Sequence, residues 1–111
     1  MHEYPAALEI IRIAAEYSGG EPIDEISLKI GEASGYVPES IEMYFDLIAA
    51  GTPCEKAGLS IEVVKPMLRC GKCGALFIRK PFEFTCTCGG DGFPTEIGHE
   101  FEVVSIILFN R

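Results

Sequence analysis

The chain has 111 residues, of which 48% are hydrophobic, and it carries a formal net charge of −8 at pH 7. A chain of this length forms one domain, with room for a small metal-stabilised lobe, and no apolar run in it is long enough to cross a membrane. The acidic balance argues against nucleic acid as a partner, because phosphate contacts need a basic surface, and it favours cations or basic protein surfaces.

The chain begins with Met1-His2-Glu3, and a histidine at the second position can bind a metal ion together with the chain terminus. The α-amino group of Met1, the backbone amide of His2 and the His2 imidazole can all reach one ion through small chelate rings. Planar nitrogen coordination of this kind is typical of Ni(II) and Cu(II). Glu3 stands at the start of the helix that follows, where it can act as a ligand or offset the cation's charge. The alternative is an inert, frayed terminus, since a single histidine is a weak signal.

A helix is predicted over residues 5–18, because Pro5 suits a first turn and Gly19-Gly20 end the pattern. Its apolar positions follow the 3.6-residue period and are Ala7, Leu8, Ile11, Ala14 and Ala15. Residues 22–34 then alternate apolar and polar side chains, which predicts a strand with one face on a core. The N-terminus is therefore expected at the start of a helix, close to the body of the protein.

A second helix is predicted over residues 39–50, with Pro38 at its start. Its apolar stripe, which we interpret as core, consists of Ile41, Tyr44, Phe45 and Ile48. Cys54 follows in a turn, and no histidine stands beside it to activate the thiol, so we interpret it as an incidental free cysteine. Residues 58–64 alternate again and predict a second strand.

Four of the five cysteines lie within a window of 19 residues. Cys70 and Cys73 have the C-x-x-C spacing of a zinc knuckle, and Cys86 and Cys88 form a C-x-C pair that is one residue shorter. Two such corners predict a closed tetrahedral Cys₄ site, whose thiolates select zinc or iron, with zinc the commoner structural choice. Such a site builds a fold and has no open position for catalysis. The alternative is a disulfide or a redox pair of cysteines, which a reducing compartment would disfavour.

The last third of the chain returns to strand patterns. Residues 75–79 and 82–84 flank Lys80-Pro81 and predict a short hairpin between the two cysteine pairs. Residues 100–109 form a long final strand, which is expected to return to the sheet of the first half. Nothing at the start of the chain resembles a secretory signal, so a cytoplasmic location is expected.

These elements predict an α+β fold in which two helices pack on a small mixed β-sheet and a zinc-ribbon-like lobe is inserted. The first domain is expected to comprise residues 1–66 plus 99–111, and the zinc-binding ribbon residues 67–98. The lobe is expected to lie between neighbouring strands of one sheet.

Seven short motifs occur along the chain, which are Met1-His2-Glu3, Ile30-Gly31-Glu32, Pro38-Glu39-Ser40, Gly51-Thr52, Ala57-Gly58-Leu59, Cys70-Gly71-Lys72-Cys73-Gly74 and Gly98-His99-Glu100. Their order resembles that of the HypA family (HypA/HybF), the nickel metallochaperones of [NiFe]-hydrogenase maturation. The chain resembles this family over almost its whole length. It departs from the family pattern at Cys86-Thr87-Cys88, where C-x-x-C is usual.

The resemblance implies that Ni(II) is carried at the amine of Met1, the imidazole and amide of His2 and the amide of Glu3. It also implies a structural zinc ion, held by Cys70, Cys73, Cys86 and Cys88. The partners it implies are the maturation GTPase HypB and the hydrogenase large subunit. A planar site made partly of backbone nitrogens suits Ni(II) and disfavours tetrahedral Zn(II).

Other classes of protein remain open from the residues alone. A zinc-ribbon interaction adaptor would have an inert N-terminus, and a thiol–disulfide enzyme would use a reactive thiol of Cys70 or Cys73. A cluster of basic residues surrounds the cysteine window and fits counter-charge for the thiolates, or a partner-docking face, better than a DNA surface: Lys65, Arg69, Lys72, Arg79 and Lys80. No catalytic constellation is evident, since His99 is unpaired in sequence, and the protein is not expected to be an enzyme.

Overall fold

A computed structural model describes residues 3–109 of the chain. In this range the protein has two helices and six strands. The helices are α1 (Glu3–Ser18) and α2 (Pro38–Ile48), and the strands are β1 (Ile23–Gly31), β2 (Gly58–Val64), β3 (Met67–Cys70), β4 (Leu76–Ile78), β5 (Gly92–Pro94) and β6 (Phe101–Leu108). Both predicted helices and the three long predicted strands are confirmed.

The three long strands form one sheet, which we call the body sheet, in the order β2-β1-β6. The central strand β1 runs parallel to β2 and antiparallel to β6, so Ile26 is paired with Leu59 on one side and with Ile106 on the other. The sheet is therefore mixed, as predicted, and the α+β class is confirmed.

The core forms where both helices cover the apolar residues of β1. Ile26, Leu28 and Ile30 alternate along β1 and are buried, because successive side chains of a strand point to opposite faces. They belong to one cluster with the buried side chains of the helices, which are Ala6, Ala7, Ile10, Ile11 and Ala14 of α1 and Ile41 and Phe45 of α2. The helices also meet near the start of α1, where the rings of Tyr4 and Tyr44 pack edge to face.

One position of the predicted helical stripe is wrong. Leu8 was expected in the core, but its side chain is 46% exposed. The buried face of α1 centres on Ala7, Ile11 and Ala14, and a residue next to Ala7 is rotated by about 100° around the helix axis. Leu8 therefore points away from the body sheet.

The predicted hairpin around Lys80-Pro81 is also wrong in its strand pairing. The second sheet, which we call the lobe sheet, has the order β4-β3-β5, with β3 antiparallel to both neighbours. Residues 82–84 belong to no strand, and Glu83 makes only an isolated bridge to Lys80. The segment before Cys70, with its buried Leu68, instead forms the central strand β3 between β4 and β5.

The lobe is inserted between β2 and β6, which are the two edge strands of the body sheet and not neighbours as expected. The central strand β1 separates them, so the chain leaves and re-enters the sheet on opposite sides of β1. The division into residues 1–66 plus 99–111 and residues 67–98 stays a prediction. No helix in residues 3–109 is long and apolar enough to span a membrane.

Candidate metal centre

Four cysteine sulfurs converge beside the end of β3. The Sγ atoms of Cys70, Cys73, Cys86 and Cys88 all lie within 4.8 Å of one another. The Sγ atoms of Cys70 and Cys88 are 3.4 Å apart, and those of Cys73 and Cys86 are 3.7 Å apart. All five cysteines of the chain are free. The two pairs that are separated in sequence thus form one cluster.

The spacing of the sulfurs fits a tetrahedral metal ion. Zinc–sulfur bonds are about 2.3 Å long, so a tetrahedral Cys₄ site places its sulfurs about 3.8 Å apart. The two distances above are close to that value and much longer than a disulfide bond of about 2.05 Å. Four thiolates leave no coordination position open, so a metal held here would stabilise the fold and would not activate a substrate.

The first corner of the cluster turns around Cys70. The backbone N–H groups of Lys72 and Cys73 both donate to its Sγ at 3.3 Å. The N–H of Gly74 closes the turn onto the carbonyl of Cys70, and Gly74 has φ +77°, a conformation that favours glycine. Donation from the Cys73 N–H is the main cause that lowers the pKa of Cys70 to about 6. The sulfur is therefore held as the thiolate, which is the form that binds metals.

The second corner is the shorter C-x-C turn, and it still delivers both of its sulfurs. The N–H of Cys86 donates to the carbonyl of Gly90, and the N–H of Gly89 donates to the carbonyl of Cys86, both at 2.9 Å. The N–H of Cys88 lowers the pKa of Cys86. The N–H of Gly90 lowers the pKa of Cys88, but the sulfurs of Cys70, Cys73 and Cys86 together with burial outweigh it and raise that pKa to about 12. A metal must therefore displace a proton from Cys88.

Gly90 is packed against the sulfur cluster so closely that no side chain fits. A Cβ atom at this position would lie 2.6 Å from the Sγ of Cys70 and 2.7 Å from the Cβ of Lys72. The spacing of the cysteines did not indicate this role, because the approach joins residues of the two different corners.

We expect Gly90→Ala to weaken zinc binding by about 10- to 100-fold, as changes next to metal ligands do, because the added methyl group must push Cys70 out of place. A competition titration against a chromogenic chelator measures the affinity. Thr87→Ala, between the cysteines of the same corner, is the matched control and should leave the affinity unchanged. Equal affinities for both variants would contradict the close packing of Gly90 against Cys70.

The structure describes only one of the three residues that are predicted to carry nickel. Met1 and His2 lie outside the described residues, whereas Glu3 is the first residue of α1 and is half-buried. The positive end of a helix favours a carboxylate at this position. His99, the other histidine of the chain, is exposed just before β6 and belongs to no group of metal-binding side chains in residues 3–109.

Cys54 is free, as predicted, but its environment differs from that of an ordinary turn cysteine. Its side chain is fully buried in the core beneath the segment after α2, and its backbone N–H donates to Oγ1 of Thr52. Burial raises the pKa of the Cys54 thiol, since it disfavours the charged thiolate. Cys54 therefore lacks both the exposure and the ionisation of a reactive cysteine.

In the folded protein we expect Cys54 to react with iodoacetamide on the order of 10³-fold more slowly than a cysteine in an unfolded peptide, because labelling requires local opening. Mass-spectrometric peptide mapping over time measures the rate. Labelling of the same protein in denaturant is the control. A rate near that of the peptide would show that the core opens easily around Cys54.

The body sheet and the lobe meet in a tight joint that the sequence pattern did not predict. A Cβ atom on Gly31 would lie 2.0 Å from the carbonyl oxygen of Gly98, and a Cβ atom on Gly98 would lie 2.4 Å from the Cα of Pro66. Backbone hydrogen bonds cross the same place, from Gly31 N–H to the Glu100 carbonyl at 2.6 Å and from Ala33 N–H to the Gly98 carbonyl at 2.8 Å. Both glycines occur in the short motifs noted above, and close backbone packing explains them.

The chain is similar in sequence to proteins of one family. The family model described as "Hydrogenase/urease nickel incorporation, metallochaperone, hypA" matches residues 1–108. Hydrogenase maturation factor HypA of Geobacter sulfurreducens is 36% identical over 104 residues, which cover 93% of this chain and 94% of that protein. Hydrogenase maturation factor HypA of Nostoc sp. is 33% identical over 107 residues, which cover 96% of this chain and 94% of that protein.

Two solved structures share the fold. A solution structure of HypA protein superposes with a TM-score of 0.70 at 22% identity, covering 98% of this chain and 97% of that one. A solution structure of the Ni metallochaperone HypA from Helicobacter pylori superposes with a TM-score of 0.62 at 20% identity, covering 98% of each chain.

Proposed function

This chain belongs to the HypA family of metallochaperones for nickel incorporation, and from that premise we propose that it binds Ni(II) at its N-terminus and delivers it to an apo-hydrogenase during [NiFe] centre maturation. The observation that carries the proposal is that the family match begins at residue 1, so that it includes Met1-His2-Glu3. The acceptor is the hydrogenase large subunit, and the maturation GTPase HypB is the second partner. The cytoplasm, where these partners would be assembled, is the proposed location.

Nickel is the cargo, and the proposed ligands are the amine of Met1, the amide and imidazole of His2 and the amide of Glu3. Nitrogen donors in a plane suit Ni(II), whereas Zn(II) prefers a tetrahedron. Chelation at a chain terminus leaves the ion open to ligand exchange with an acceptor. Binding should weaken on acidification, because protons compete for the same nitrogens.

Zinc is proposed as the resident metal of the four-cysteine cluster. The distances between sulfurs and the N–H groups directed at Cys70 support a tetrahedral thiolate site, in which zinc is the common structural choice. Because such a site is closed, the protein is proposed to act as a carrier and not as an enzyme.

The test is a Ni(II) titration of zinc-loaded protein with its authentic N-terminus and of a version with one glycine added before Met1. The extra residue keeps His2 and the net charge but moves the amine away from its chelate ring. We expect a planar, low-spin nickel spectrum from the authentic protein and its loss from the extended one. Equal binding by both would place nickel elsewhere, and no binding by either would favour a zinc-ribbon adaptor.

A matched pair of substitutions sharpens this test, because the chain has two histidines. His2→Ala should abolish tight nickel binding and leave zinc content unchanged. His99→Ala, at the exposed position before β6, should bind nickel like the native protein. Nickel affinity that survives His2→Ala would refute the proposed ligand set.

A further inference from the structure

The lobe displays a phenylalanine on a turn that would ordinarily carry glycine. The N–H of Glu83 donates to the carbonyl of Lys80 at 3.1 Å, which closes a four-residue turn with Pro81 and Phe82 in its centre. Phe82 has φ +63°, and it is the only residue other than glycine with positive φ in residues 3–109. Proline followed by a residue with positive φ is the pattern of a type II turn, in which glycine or asparagine is expected at the second position.

The Phe82 side chain gains no packing from this conformation. Phe82 is 96% exposed, so burial of the ring does not offset the unfavourable backbone angle. Residues held in such conformations concentrate at functional sites, where the surrounding structure imposes them.

Apolar and basic side chains surround the turn. Phe84 is 54% exposed, and an open groove of about 310 Å³ beside the turn is lined by Pro66, Arg79 and Phe84 among others. We call Arg79, Lys80, Phe82 and Phe84 the Phe82 patch. Phe82 is thus a large apolar anchor next to a groove, which is the arrangement of an interface hot spot.

The charge of the Phe82 patch contrasts with the rest of the chain. Four of the nine Lys and Arg residues but only three of the seventeen Asp and Glu residues lie in residues 67–98. Arg79 and Lys80 form no ion pair among the residues that the structure describes, whereas the groove's carboxylate, Glu32, is paired with Lys65. Glu83 offsets part of this charge within the turn. A partner with carboxylates around an apolar cleft would complement the patch.

We propose that the Phe82 patch is the docking site for the nickel acceptor protein. In the complex, Phe82 inserts into an apolar cleft of the acceptor that is edged by acidic residues. The inference rests on the proposed function, because it identifies the partner as the acceptor. The placement of the patch supports this: the turn belongs to the lobe, whereas α1, which follows the proposed nickel ligands, belongs to the body. An acceptor docked at the lobe therefore need not cover α1.

The test measures binding of the full, zinc-loaded and nickel-free protein to purified apo large subunit by biolayer interferometry. Phe82→Gly should weaken binding at least 10-fold. Because glycine favours positive φ, the same variant should keep its zinc and melt at the same or a higher temperature, so that a loss of binding cannot come from misfolding. Leu47→Ala, at an exposed apolar position on α2, is the control and should bind like the native protein.

A charge test addresses the rest of the patch. Reversal of both Arg79 and Lys80 to Glu should weaken binding and make it less dependent on salt, because attraction between charges on two proteins is screened by ions. Lys56→Glu, a charge reversal at an exposed position just before β2, should have little effect.

Four outcomes would overturn the proposal. In the first, Phe82→Gly binds the large subunit with unchanged affinity. In the second and third, Phe82→Gly loses binding only to HypB, or changes only the oligomeric state of the protein. In the fourth, Phe82 is required for binding to anionic vesicles and not to the large subunit. These failures are distinct from failure of nickel binding, because the docking assay contains no nickel and Phe82→Gly should titrate with Ni(II) like the native protein.

Discussion

Cys70→Ala is expected to abolish zinc binding and to unfold the lobe sheet, while the helices and the body sheet stay folded. Within residues 67–98, Leu68 is the only apolar side chain other than cysteine that is fully buried. The larger ones are at least partly exposed, among them Leu76, Ile78, Phe82, Phe84 and Phe93. We therefore expect a lobe with so little core to need the proposed zinc ion, since structural zinc contributes about 10–16 kcal/mol of binding free energy in small zinc domains.

Elemental analysis and hydrogen exchange measure this loss together. In Cys70→Ala we expect no stoichiometric zinc and rapid exchange of the lobe amides, including the N–H groups that bridge β3 and its neighbours. Cys54→Ala also removes one thiol, but from the body core, and should retain one zinc per chain. Removal of the metal by a chelator or by acid should reproduce the effect of Cys70→Ala in the native protein. Full zinc content and a protected lobe in Cys70→Ala would contradict the four-cysteine centre.

Gly31→Ala is expected to lower the free energy of unfolding by about 3 kcal/mol or more, because it overpacks the joint between body and lobe. The added Cβ would lie 2.0 Å from the carbonyl oxygen of Gly98, which is backbone and cannot rotate away. Relief of this contact must break the 2.6 Å hydrogen bond from Gly31 N–H to the Glu100 carbonyl. The end of β1 would then separate from β6.

Urea unfolding of both variants gives the comparison, with Gly58→Ala as the matched control. Gly58 also lies in the body sheet, at the start of β2, but no atom lies within 4 Å of its added Cβ. It should therefore be neutral or slightly stabilising, since alanine reduces the entropy of the unfolded chain. Equal unfolding midpoints for Gly31→Ala and Gly58→Ala would show that the joint can relax.

The helices and the long strands were predictable because their signals are local. Apolar residues at the helical period, ended by Gly19-Gly20, define α1, and alternation over residues 58–64 defines β2. The cluster of cysteines was predictable in its membership, since C-x-x-C turns place two sulfurs together by themselves. Leu8 was assigned to the wrong face because a stripe of small alanines marks its centre only weakly.

The tertiary structure alone decided how distant segments meet. The pairing of β3 with β4 and β5, the approach of Gly90 to Cys70 and the contact of Gly31 with Gly98 join residues that no local pattern relates. The exposure of Phe82 and its positive φ also follow from the turn in which the lobe holds it, not from its own preference. Apolar periodicity and cysteine spacing depend on the local geometry of the backbone. They therefore predict helices, strands and the turns that hold the cysteine ligands. The order of strands and the closeness of two glycine backbones depend on packing between elements, and only the folded chain supplies that.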